Sequence, residues 1–391
     1  MVLGVTGSIA AYKAVDLASQ LTQAGVAVHV VLTESATQLV GPASFRAITG
    51  LPVSTNLFEL SNPFAIEHIS LADVADAFVI APATANVIAK VACGIADDLL
   101  TCTALATRAP MLIAPAMHTA MWENPATQDN VKQLRERGGS FVGPAVGRLA
   151  SGGYGAGRFA PGPEILGEIL RVLGATGDLA GRKVVVSAGG TREPIDPIRF
   201  LSNRSTGRMG IAVAEAARDR GGNVTLVCGP TALQRPSGMT VVDVTTAAQM
   251  LDAVKAASEG ADALVMAAAV ADYRPAGAAA NQKLKKQEEA LTLTLQRTDD
   301  VLDSVRDVPL RVGFAAETEN LIENAQRKLE RKALDLIVAN PVGGQDDAFG
   351  SERNRCTFIT STGTVDELPN LTKRQVADRL LDWVVSRLAS N

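Results

Sequence analysis

Two pairs of glycine residues flank a long loop near the middle of the sequence. A β-branched run at residues 184–186 leads into a Gly-Gly-Thr run at residues 189–191, and after the loop Gly207 and Gly210 open an alanine-rich segment. Glycine allows a backbone to approach a ligand closely, and the free N–H groups in the first turn of a helix attract phosphate oxygens. The pattern therefore predicts a strand, a loop and a helix N-terminus that together bind an anion.

A second strand-turn-helix pattern stands at the beginning of the sequence. Residues 2–5 predict a strand, Gly7 and Ser8 predict a tight turn, and residues 9–24 predict a helix. The amides of the turn suit a phosphate group, although a plain tight turn explains them equally well. The Gly-x-Gly-x-x-Gly pattern of dinucleotide sites is missing. Residues 26–32 predict the next strand, and Glu34 after it resembles in position an acid that binds ribose.

A histidine and three further residues surround a predicted strand over residues 77–80. His68 precedes the strand, and Pro82, Thr84 and Asn86 follow it. Open α/β sheets bind ligands in the crevice at the carboxyl ends of their strands. These residues are therefore candidates for a site, although a surface histidine with no chemical role explains His68 equally well.

A basic run at residues 283–286, Lys-Leu-Lys-Lys, follows a predicted strand over residues 263–267 and Asp272. A charge run by itself usually marks a solvated loop. Beside a phosphate site, however, lysines neutralise the charge that develops during phosphoryl-type transfer. Asp272 at a strand end suits a nucleotide base and ribose, and a tightly packed strand end is the alternative.

A long helix is predicted over residues 319–334. Lys328 and Lys332 lie four positions apart, which places them on one face of this helix. Their ammonium groups either face solvent or meet phosphate oxygens, and the spacing allows both.

The whole composition limits the classes of function. The 391 residues are 47% hydrophobic and 20% charged, which is typical of globular proteins with two or three domains. A formal net charge of -4 supplies no basic field for a nucleic-acid backbone, and no apolar run is long enough for a membrane helix. Nucleic acid and membrane are therefore not expected partners.

The four cysteines are sparse and form no Cys-x-x-Cys motif. This usage favours a reducing, cytoplasmic location, and each cysteine is expected to be a small core residue.

The alternation of strands and helices predicts an α/β fold with two Rossmann-like three-layer domains. Residues 174–178, Gly-Ala-Thr-Gly-Asp, suggest a short linker. We therefore expect a first domain over residues 1–176 and a second over residues 177–391.

Residues 189–210 carry the run Gly-Gly-Thr-Arg-Glu-Pro-Ile-Asp-Pro-Ile-Arg-Phe-Leu-Ser-Asn-Arg-Ser-Thr-Gly-Arg-Met-Gly. This run resembles the signature loop of phosphopantothenate-cysteine ligases, which join cysteine to 4'-phosphopantothenate in coenzyme A synthesis. The resemblance implies that CTP, assisted by Mg²⁺, activates the carboxylate as an acyl-cytidylate that cysteine then attacks. It assigns no metal ligands.

The resemblance also implies residue roles. Lys283 is the catalytic candidate for forming the acyl-cytidylate, and Asn203 is the candidate that orients this intermediate for cysteine. The patterns and the resemblance together assign nucleotide binding to Gly189, Gly190, Thr191, Ser205, Gly207, Asp272, Lys283, Lys285, Phe314, Lys328 and Lys332.

The first half of the sequence resembles the flavin-binding cysteine decarboxylases. The matching segments are residues 4–13, 33–36, 67–86, 96–101 and 114–122. The resemblance implies that FMN is the cofactor and that His68 is a catalytic base or orienting group. The cofactor-binding residues it implies are Gly7, Ser8, Ser35, Pro82, Thr84, Asn86 and Thr101.

Two positions depart from the pattern of these decarboxylases. His118 stands where these decarboxylases usually have an asparagine that contacts the substrate carboxylate. Ser151 stands where a proton-donating cysteine is usual. Histidine still offers a hydrogen-bond donor, whereas a serine hydroxyl is a much weaker acid than a thiol. His118 and Ser151 are nevertheless the catalytic candidates at these positions.

The chain as a whole resembles the bacterial bifunctional proteins that carry both enzymes. The resemblance implies 4'-phosphopantothenate, cysteine and CTP as partners, and a homo-oligomer of trimeric flavin units and dimeric ligase units, in total a dodecamer. Two alternatives stay open from the residues: an NAD-dependent reductase with two nucleotide folds, and a ligase that carries a degenerate flavin-binding scaffold domain.

Overall fold

The structure, a computed structural model, describes residues 1–58, 66–277, 279–285, 291–343 and 351–389. The chain divides into two units, Met1–Leu173 and Gly174–Asn391. Each unit alternates β-strands with helices, which is the arrangement of an α/β fold.

The first unit begins with an apolar strand whose four residues are all buried. In the helix that follows, the buried residues recur every three to four positions, so that one stripe faces the sheet. The elements of this unit are, in chain order, β1 (Val2–Val5), α1 (Ala11–Gln23), β2 (His29–Leu32), α2 (Glu34–Thr37), α3 (Pro42–Thr49), β3 (Val53–Ser54), α4 (Glu67–Asp73), β4 (Phe78–Ala83), α5 (Ala85–Cys93), α6 (Leu99–Ala106), β5 (Met111–Pro115), α7 (Thr119–Trp122), α8 (Pro125–Glu136), β6 (Ser140–Phe141), β7 (Ala145–Arg148), β8 (Tyr154–Arg158) and α9 (Gly162–Leu173).

Six parallel strands form the main sheet of the first unit, in the order β3-β2-β1-β4-β5-β6. Successive side chains of a strand face opposite sides of the sheet. Leu3 and Val5 pack with residues of α1 and α9, whereas Val2 and Ile80 pack with residues of α5, α6 and α8. The sheet is therefore the middle layer of three, and its strand order reverses between β1 and β4.

The second unit repeats this alternation, and its first strand has five buried residues out of six. Its elements are, in chain order, β9 (Lys183–Ala188), β10 (Arg192–Pro194), β11 (Phe200–Ser202), α10 (Arg208–Asp219), β12 (Asn223–Cys228), β13 (Thr240–Asp243), α11 (Ala247–Ser258), β14 (Ala263–Met266), β15 (Tyr273–Pro275), β16 (Leu295–Arg297), α12 (Val301–Ser304), β17 (Leu310–Glu317), α13 (Leu321–Lys332), β18 (Leu336–Pro341), β19 (Arg353–Asn354), β20 (Thr357–Thr360), β21 (Val365–Glu367), β22 (Leu371–Thr372) and α14 (Lys373–Leu388).

Eight strands form the main sheet of the second unit, in the order β13-β12-β9-β14-β17-β18-β20-β21. The first six are parallel and the order reverses between β9 and β14, as in the first unit, while β20 and β21 add an antiparallel edge. Val184 and Val186 pack with residues of α10 and α14, and Val185 and Leu264 pack with residues of α11 and α13. This unit is also a three-layer fold.

Among the described residues, three antiparallel hairpins lie outside the main sheets: β7 with β8, β10 with β11, and β15 with β16. β19 and β22 form a further antiparallel pair. The strands of the three hairpins have three to five residues, and most of their side chains are exposed. The sequence patterns did not predict them as strands, because short exposed segments carry no periodic apolar signal.

The predicted α/β class with two Rossmann-like three-layer folds is confirmed. The ends of two strands of the first unit differ from the prediction. The strand predicted over residues 26–32 begins at His29, because β1 offers pairing partners only from Val2 onward. The strand predicted over residues 77–80 continues to Ala83 through an irregularity in its pairing with β5.

The helix predicted over residues 319–334 is shorter at both ends. Asn320 and Ala333 have φ values of 48° and 47°, so the left-handed backbone at each end limits α13 to Leu321–Lys332. Within the described residues, no helix is long and apolar enough to cross a membrane.

The cysteines differ in burial. Cys228 and Cys356 are buried, and burial raises the pKa of the Cys356 thiol to about 12. Cys93 is exposed, so the expectation that every cysteine is a core residue is wrong there. Cys93 ends α5, one position beyond the buried Ala92, and one step along a helix turns a side chain away from the core.

Gly210 lets α10 approach β9 closely. A Cβ atom on Gly210 would lie 2.5 Å from the Ser187 carbonyl oxygen and 2.6 Å from the Ala188 Cβ. We expect Gly210→Ala to lower the free energy of unfolding by about 1 to 3 kcal/mol, because the helix must shift to relieve this overlap. Calorimetric unfolding measures the change. The control is Gly162→Ala in the first turn of α9, where the new Cβ meets no atom closer than 3.6 Å, and an equal loss of stability in both variants would contradict this explanation.

Candidate active sites at two strand edges

The loops after β1 and β4 meet where the strand order of the first unit reverses. The Thr6 hydroxyl donates a hydrogen bond to the Pro82 carbonyl oxygen at 2.7 Å and accepts one from the Thr84 N–H at 3.0 Å. Thr6 is fully buried, so its side chain holds the two loops together from inside. Open α/β sheets bind ligands at such reversal points, which makes this edge the candidate site of the first unit.

The loops after β2 and β5 reach the same edge. The buried Ser8 hydroxyl donates to the Ala116 carbonyl oxygen at 3.1 Å. A Cβ atom on Gly7 would lie 2.4 Å from the Cβ of Ser35, so only glycine permits this approach. Gly7 and Ser8 therefore shape the turn, and Ser35 remains exposed beside it.

Two helices begin at this edge. The N-cap residue of α1, Ala10, provides no side-chain hydrogen bond, whereas Thr84 caps α5 by accepting from the Val87 N–H at 3.4 Å. Asn86 is exposed in the first turn of α5. The positive end of each helix dipole and the Asn86 amide are suited to an anionic ligand with polar ring atoms.

Two predicted cofactor contacts are buried within their own elements. Pro82 lies inside β4, where its carbonyl oxygen accepts from Thr6. Thr101 is 2% exposed and forms a capping box with Asp98 at the start of α6, where the Thr101 N–H donates to Asp98 Oδ1 at 2.8 Å. Both residues support neighbouring backbone in this structure.

His68 lies in the first turn of α4 and is half-buried. It precedes the buried Leu71 and Ala72 by three and four positions, so all three share one face of the helix. The neighbouring Glu67 carboxylate accepts a hydrogen bond from the Ser54 hydroxyl, which ties the start of α4 to β3. This contact fixes the backbone that carries His68.

His118 is the N-cap residue of α7, and its Nδ1 accepts a hydrogen bond from the Ala120 N–H at 3.2 Å. A neutral imidazole whose Nδ1 accepts carries its proton on Nε2. Because His118 is exposed, it keeps a hydrogen-bond donor at the position where the resemblance implies an asparagine.

The hairpin of β7 and β8 packs beside the His118 segment. The Met117 N–H donates to the Gly157 carbonyl oxygen at 2.9 Å. Gly157 has φ of 135°, and a Cβ there would lie 2.3 Å from the Met117 carbonyl oxygen, so a glycine is required. Ser151 lies in the exposed turn between the two strands.

In the second unit, the loops after β9 and β14 are joined at the corresponding reversal point. The Ala269 N–H donates to the Gly189 carbonyl oxygen at 2.9 Å, and Gly190 forms a parallel β-bridge with Ala269. The Thr191 hydroxyl accepts from the Ala271 N–H at 3.0 Å. Because Thr191 is fully buried, its side chain supports the loop and its hydroxyl does not face solvent.

The N-terminus of α10 opens at this second edge. Its N-cap residue, Gly207, has φ of 81° and no side-chain cap, and Ser205 just before it is half-buried. The Asn203 side-chain amide donates to the carbonyl oxygens of Ala269 and Val270 at 3.4 and 3.2 Å. These contacts bring Asn203 to the β14 loop and leave the first N–H groups of α10 for an anion.

Three predicted nucleotide-binding residues, Asp272, Lys283 and Lys285, are exposed. The Asp272 carbonyl oxygen accepts from the Thr298 N–H at 3.0 Å, which fixes the start of the hairpin of β15 and β16. Lys286 of the basic run lies outside the described residues.

The two lysines of α13 lie in different surroundings. Lys332 is 5% exposed, and its ammonium group is bound by the carboxylates of Asp300 and Asp303. In this structure the Lys332 ammonium group therefore faces two carboxylates, and neither solvent nor a phosphate group. Lys328 is half-buried and donates to the Phe314 carbonyl oxygen at 2.9 Å.

Charges around Lys328 partly offset the effect of burial on its pKa. Burial lowers the pKa of Lys328, while the carboxylates of Glu317, Asp272 and Asp300 raise it. The hydrogen bond to the Phe314 carbonyl oxygen places the Lys328 ammonium group beside β17, the strand that pairs with β14. Among the described residues, no group of three or more His, Cys, Asp or Glu side chains is arranged to hold a metal ion.

Sequence patterns missed three residues that organise these edges. Thr6 was not distinguished from the rest of its turn, although it fastens β1 to β4. Asp196 and Arg199 lie inside the motif at residues 189–210, yet their ion pair was not predicted. The i,i+3 spacing of opposite charges was the available signal.

Comparison with known proteins gives a family for each unit. Residues 1–174 match the family described as Flavoprotein, and residues 179–388 match the DNA/pantothenate metabolism flavoprotein C-terminal domain. A relative from Mycobacterium tuberculosis, "Coenzyme A biosynthesis bifunctional protein CoaBC", is 47% identical over 100% of this chain and 97% of its own length. The chain belongs to this family of bifunctional coenzyme A biosynthesis proteins.

Two further relatives bear the same description. The protein of Bacillus subtilis is 43% identical over 99% of this chain and 96% of its own length. The protein of Escherichia coli is 41% identical over 99% of this chain and 97% of its own length. Both units of the chain are therefore related to the corresponding parts of these proteins.

Proposed function

We propose that this chain catalyses two consecutive steps of coenzyme A biosynthesis. The second unit ligates cysteine to 4'-phosphopantothenate with CTP, and the first unit decarboxylates the resulting phosphopantothenoylcysteine to 4'-phosphopantetheine. The observation that carries the proposal is full-length similarity to bifunctional relatives, 47% for the Mycobacterium tuberculosis protein. The two strand edges then supply one site for each step.

The ligation step requires activation because a carboxylate oxygen is a poor leaving group. The substrate carboxylate attacks the α-phosphorus of CTP, pyrophosphate leaves, and the amine of cysteine then displaces CMP from the acyl-cytidylate while losing a proton. Lys283 neutralises the negative charge that develops on the phosphates in the first step. Asn203, which already bonds the β14 loop, orients the acyl-cytidylate for the second.

The nucleotide lies across the reversal point of the second unit. Phosphate oxygens accept from the N–H groups at the start of α10 and from the loop at residues 189–191, while Lys285 and Lys328 add positive charge. Asp272, exposed at the strand end, suits the ribose hydroxyls. Mg²⁺ would be held mainly by the phosphates of CTP and would offset their negative charge, since Mg²⁺ sites in proteins often use substrate phosphates and one or two carboxylates.

The donor set of the first unit fits FMN. The start of α1, which has no side-chain cap, suits the phosphate, and the exposed Ser35 and Asn86 side chains suit the polar atoms of the cofactor. Bound FMN supplies a reversible two-electron acceptor for the substrate. Thr6, Ser8 and Gly7 hold the loops that surround it.

Three side chains act on the decarboxylase substrate in this proposal. His68 accepts or orients the proton of the cysteinyl thiol, because an imidazole nitrogen offers either a hydrogen-bond acceptor or a donor. His118 donates from Nε2 to the substrate carboxylate and positions it. Ser151 closes over the substrate from the turn of its hairpin, and water or His118 supplies the final proton in place of the usual thiol.

Thr6 provides a test of the flavin site that does not depend on turnover. We expect Thr6→Val to weaken FMN binding by roughly five- to 100-fold, because the Pro82 carbonyl and the Thr84 N–H lose their shared partner in the interior. Thr6→Ser retains the hydroxyl and is the matched control. Fluorescence titration of the apoprotein with FMN measures both, and equal affinities would show that the hydroxyl does not support the site.

The proposal extends to assembly and location. The hairpins β10–β11 and β15–β16 expose Phe200, Tyr273 and Leu295 at 48%, 47% and 43%, and exposed apolar side chains are available for contacts between subunits. We assign trimeric contacts to the flavin unit and dimeric contacts to the ligase unit, which together give a dodecamer in the cytoplasm. Mass photometry of the purified protein tests the size.

Pyrophosphate release tests the ligase half directly. We expect CTP, 4'-phosphopantothenate and Mg²⁺ to release at most one equivalent of pyrophosphate per site, and continued release only when cysteine is present to displace CMP. No release from the complete mixture would contradict the ligase assignment. The full-length similarity does not favour the NAD-dependent reductase. A ligase with a degenerate flavin-binding scaffold would instead release pyrophosphate but no CO₂.

A further inference from the structure

The loop that carries Lys283 is attached to the hairpin of β10 and β11 through the backbone of Leu284. The Leu284 N–H donates to Asp196 Oδ2 at 3.2 Å, and the Leu284 carbonyl oxygen accepts from Arg199 Nη2 at 2.8 Å. Both backbone groups of the residue between Lys283 and Lys285 are therefore bound by one ion pair.

Hydrogen bonds within its own turn orient the Asp196 carboxylate for this contact. Its side chain has no exposed surface, and its Oδ1 accepts from the N–H groups of Ile198 and Arg199 at 2.8 Å each. Its Oδ2 accepts from Arg199 Nε at 2.9 Å and Nη2 at 2.6 Å. The Arg199 guanidinium, with these backbone donors, holds the pKa of Asp196 well below its usual range, so the carboxylate is ionised at neutral pH.

The hairpin itself is fixed to the body of the second unit. The buried Glu193 carboxylate accepts from the Ala247 N–H at the start of α11 at 2.8 Å. The Arg192 N–H donates to the Thr245 carbonyl oxygen at 2.7 Å. These two contacts hold the hairpin in place, so a segment that binds the hairpin is held in place as well.

A second hydrogen bond joins the loop to the hairpin four residues before Leu284. The Ala280 N–H donates to the Ile195 carbonyl oxygen at 3.1 Å. The loop is thus bound at Ala280 and at Leu284, and Leu284 is the residue next to Lys283. Ion pairs at a solvated surface contribute little by themselves, whereas charge-assisted hydrogen bonds to backbone restrict geometry strongly.

We propose that Asp196 and Arg199 form a latch that positions Lys283 for the ligation step. They are positioning residues: they fix the Leu284 backbone and do not themselves contact the reacting atoms. The identity of the reaction rests on the proposed function, whereas the latch is a contact within the chain that is testable without substrate.

The first test is hydrogen exchange measured by mass spectrometry on the full-length protein. We expect Arg199→Gln and Asp196→Asn to speed exchange in peptides that contain Leu284 by about tenfold or more, because each variant removes a charged hydrogen-bond partner of this segment. The matched control is Arg182→Gln. Arg182 and Arg199 are 44% and 43% exposed, and each pairs with an aspartate that also binds a backbone N–H. Unchanged exchange in both latch variants would overturn the proposal.

The second test separates positioning from general stability. We expect Arg199→Gln to lower kcat for ligation by about 10- to 100-fold with little change in KM for CTP, because a displaced lysine fails mainly in the transition state. Arg199→Lys should recover part of the loss, and decarboxylation by the same protein should be unchanged. A rise in KM for CTP with kcat unchanged would contradict a positioning role. An equal loss of both activities would contradict it as well. If the wild-type protein releases no pyrophosphate, the proposed function fails, and hydrogen exchange still decides whether the latch exists.

Discussion

Lys283→Gln should lose CTP-dependent ligation and keep decarboxylation. Glutamine retains much of the length of lysine but not its charge, so the phosphates lose the cation that stabilises their developing negative charge. We expect kcat for pyrophosphate release to fall by about 100- to 1,000-fold, which is the usual cost of removing one electrostatic contact in a transition state. Pyrophosphate release and CO₂ release are measured on the same preparation.

The control for this variant is Lys255→Gln. Lys255 is an exposed lysine in the last turn of α11 and has no assigned role at either site. Normal ligation by Lys283→Gln would remove the role assigned to that lysine. The same result would mean that the latch of Asp196 and Arg199 does not contribute to ligation through Lys283.

His68→Asn should show the opposite selectivity. Asparagine preserves hydrogen bonding near the position of an imidazole nitrogen but does not exchange a proton near neutral pH. We expect CO₂ release to fall by about 100- to 10,000-fold, the range typical of general acid–base groups. Pyrophosphate formation should stay at the wild-type rate, because the second unit contains every residue assigned to ligation.

His29→Asn is the matched control for the histidine substitution. His29 begins β2 at the end opposite the β1–β4 loops, and burial lowers its pKa. It should change neither activity. Loss of both activities in a folded His68→Asn protein would contradict the assignment of the two reactions to separate sites.

The α/β fold was predictable because short apolar runs alternate along the sequence with segments of helical spacing. The residue run 184–186 and the run 263–267 are buried apolar segments followed by small residues, and both became central strands of the second sheet. The antiparallel edge formed by β20 and β21 was not predicted. Its exposed strand Val365–Glu367 has no alternating apolar pattern, and its position depends on pairing with β20.

Parts of the candidate sites were predictable from local motifs, and the contacts between motifs were not. Gly7, Ser8 and Gly207 lie at strand ends or helix starts as their neighbours in sequence suggest. Thr6 is a different case, since its partners lie 76 and 78 residues away. The bond between Asp196 and Leu284 spans 88 residues, and no pattern within one segment contains it.

Lys332 illustrates a further limit of spacing alone. The i,i+4 relation to Lys328 correctly places both residues on one helix. It contains no information about Asp300 and Asp303, which come from a different helix and its cap and bind the Lys332 ammonium group. Burial and pairing were decided by tertiary packing, which overrides the local pattern.

Product analysis by mass spectrometry tests the central claim most directly. The purified protein, whose flavin absorbance is recorded first, is incubated with 4'-phosphopantothenate, cysteine, CTP and Mg²⁺. We expect a bound-flavin spectrum and 4'-phosphopantetheine as the product, which requires both reactions to proceed with Ser151 and His118 in place. Accumulation of phosphopantothenoylcysteine, with no 4'-phosphopantetheine, would contradict the claim that one chain performs both steps.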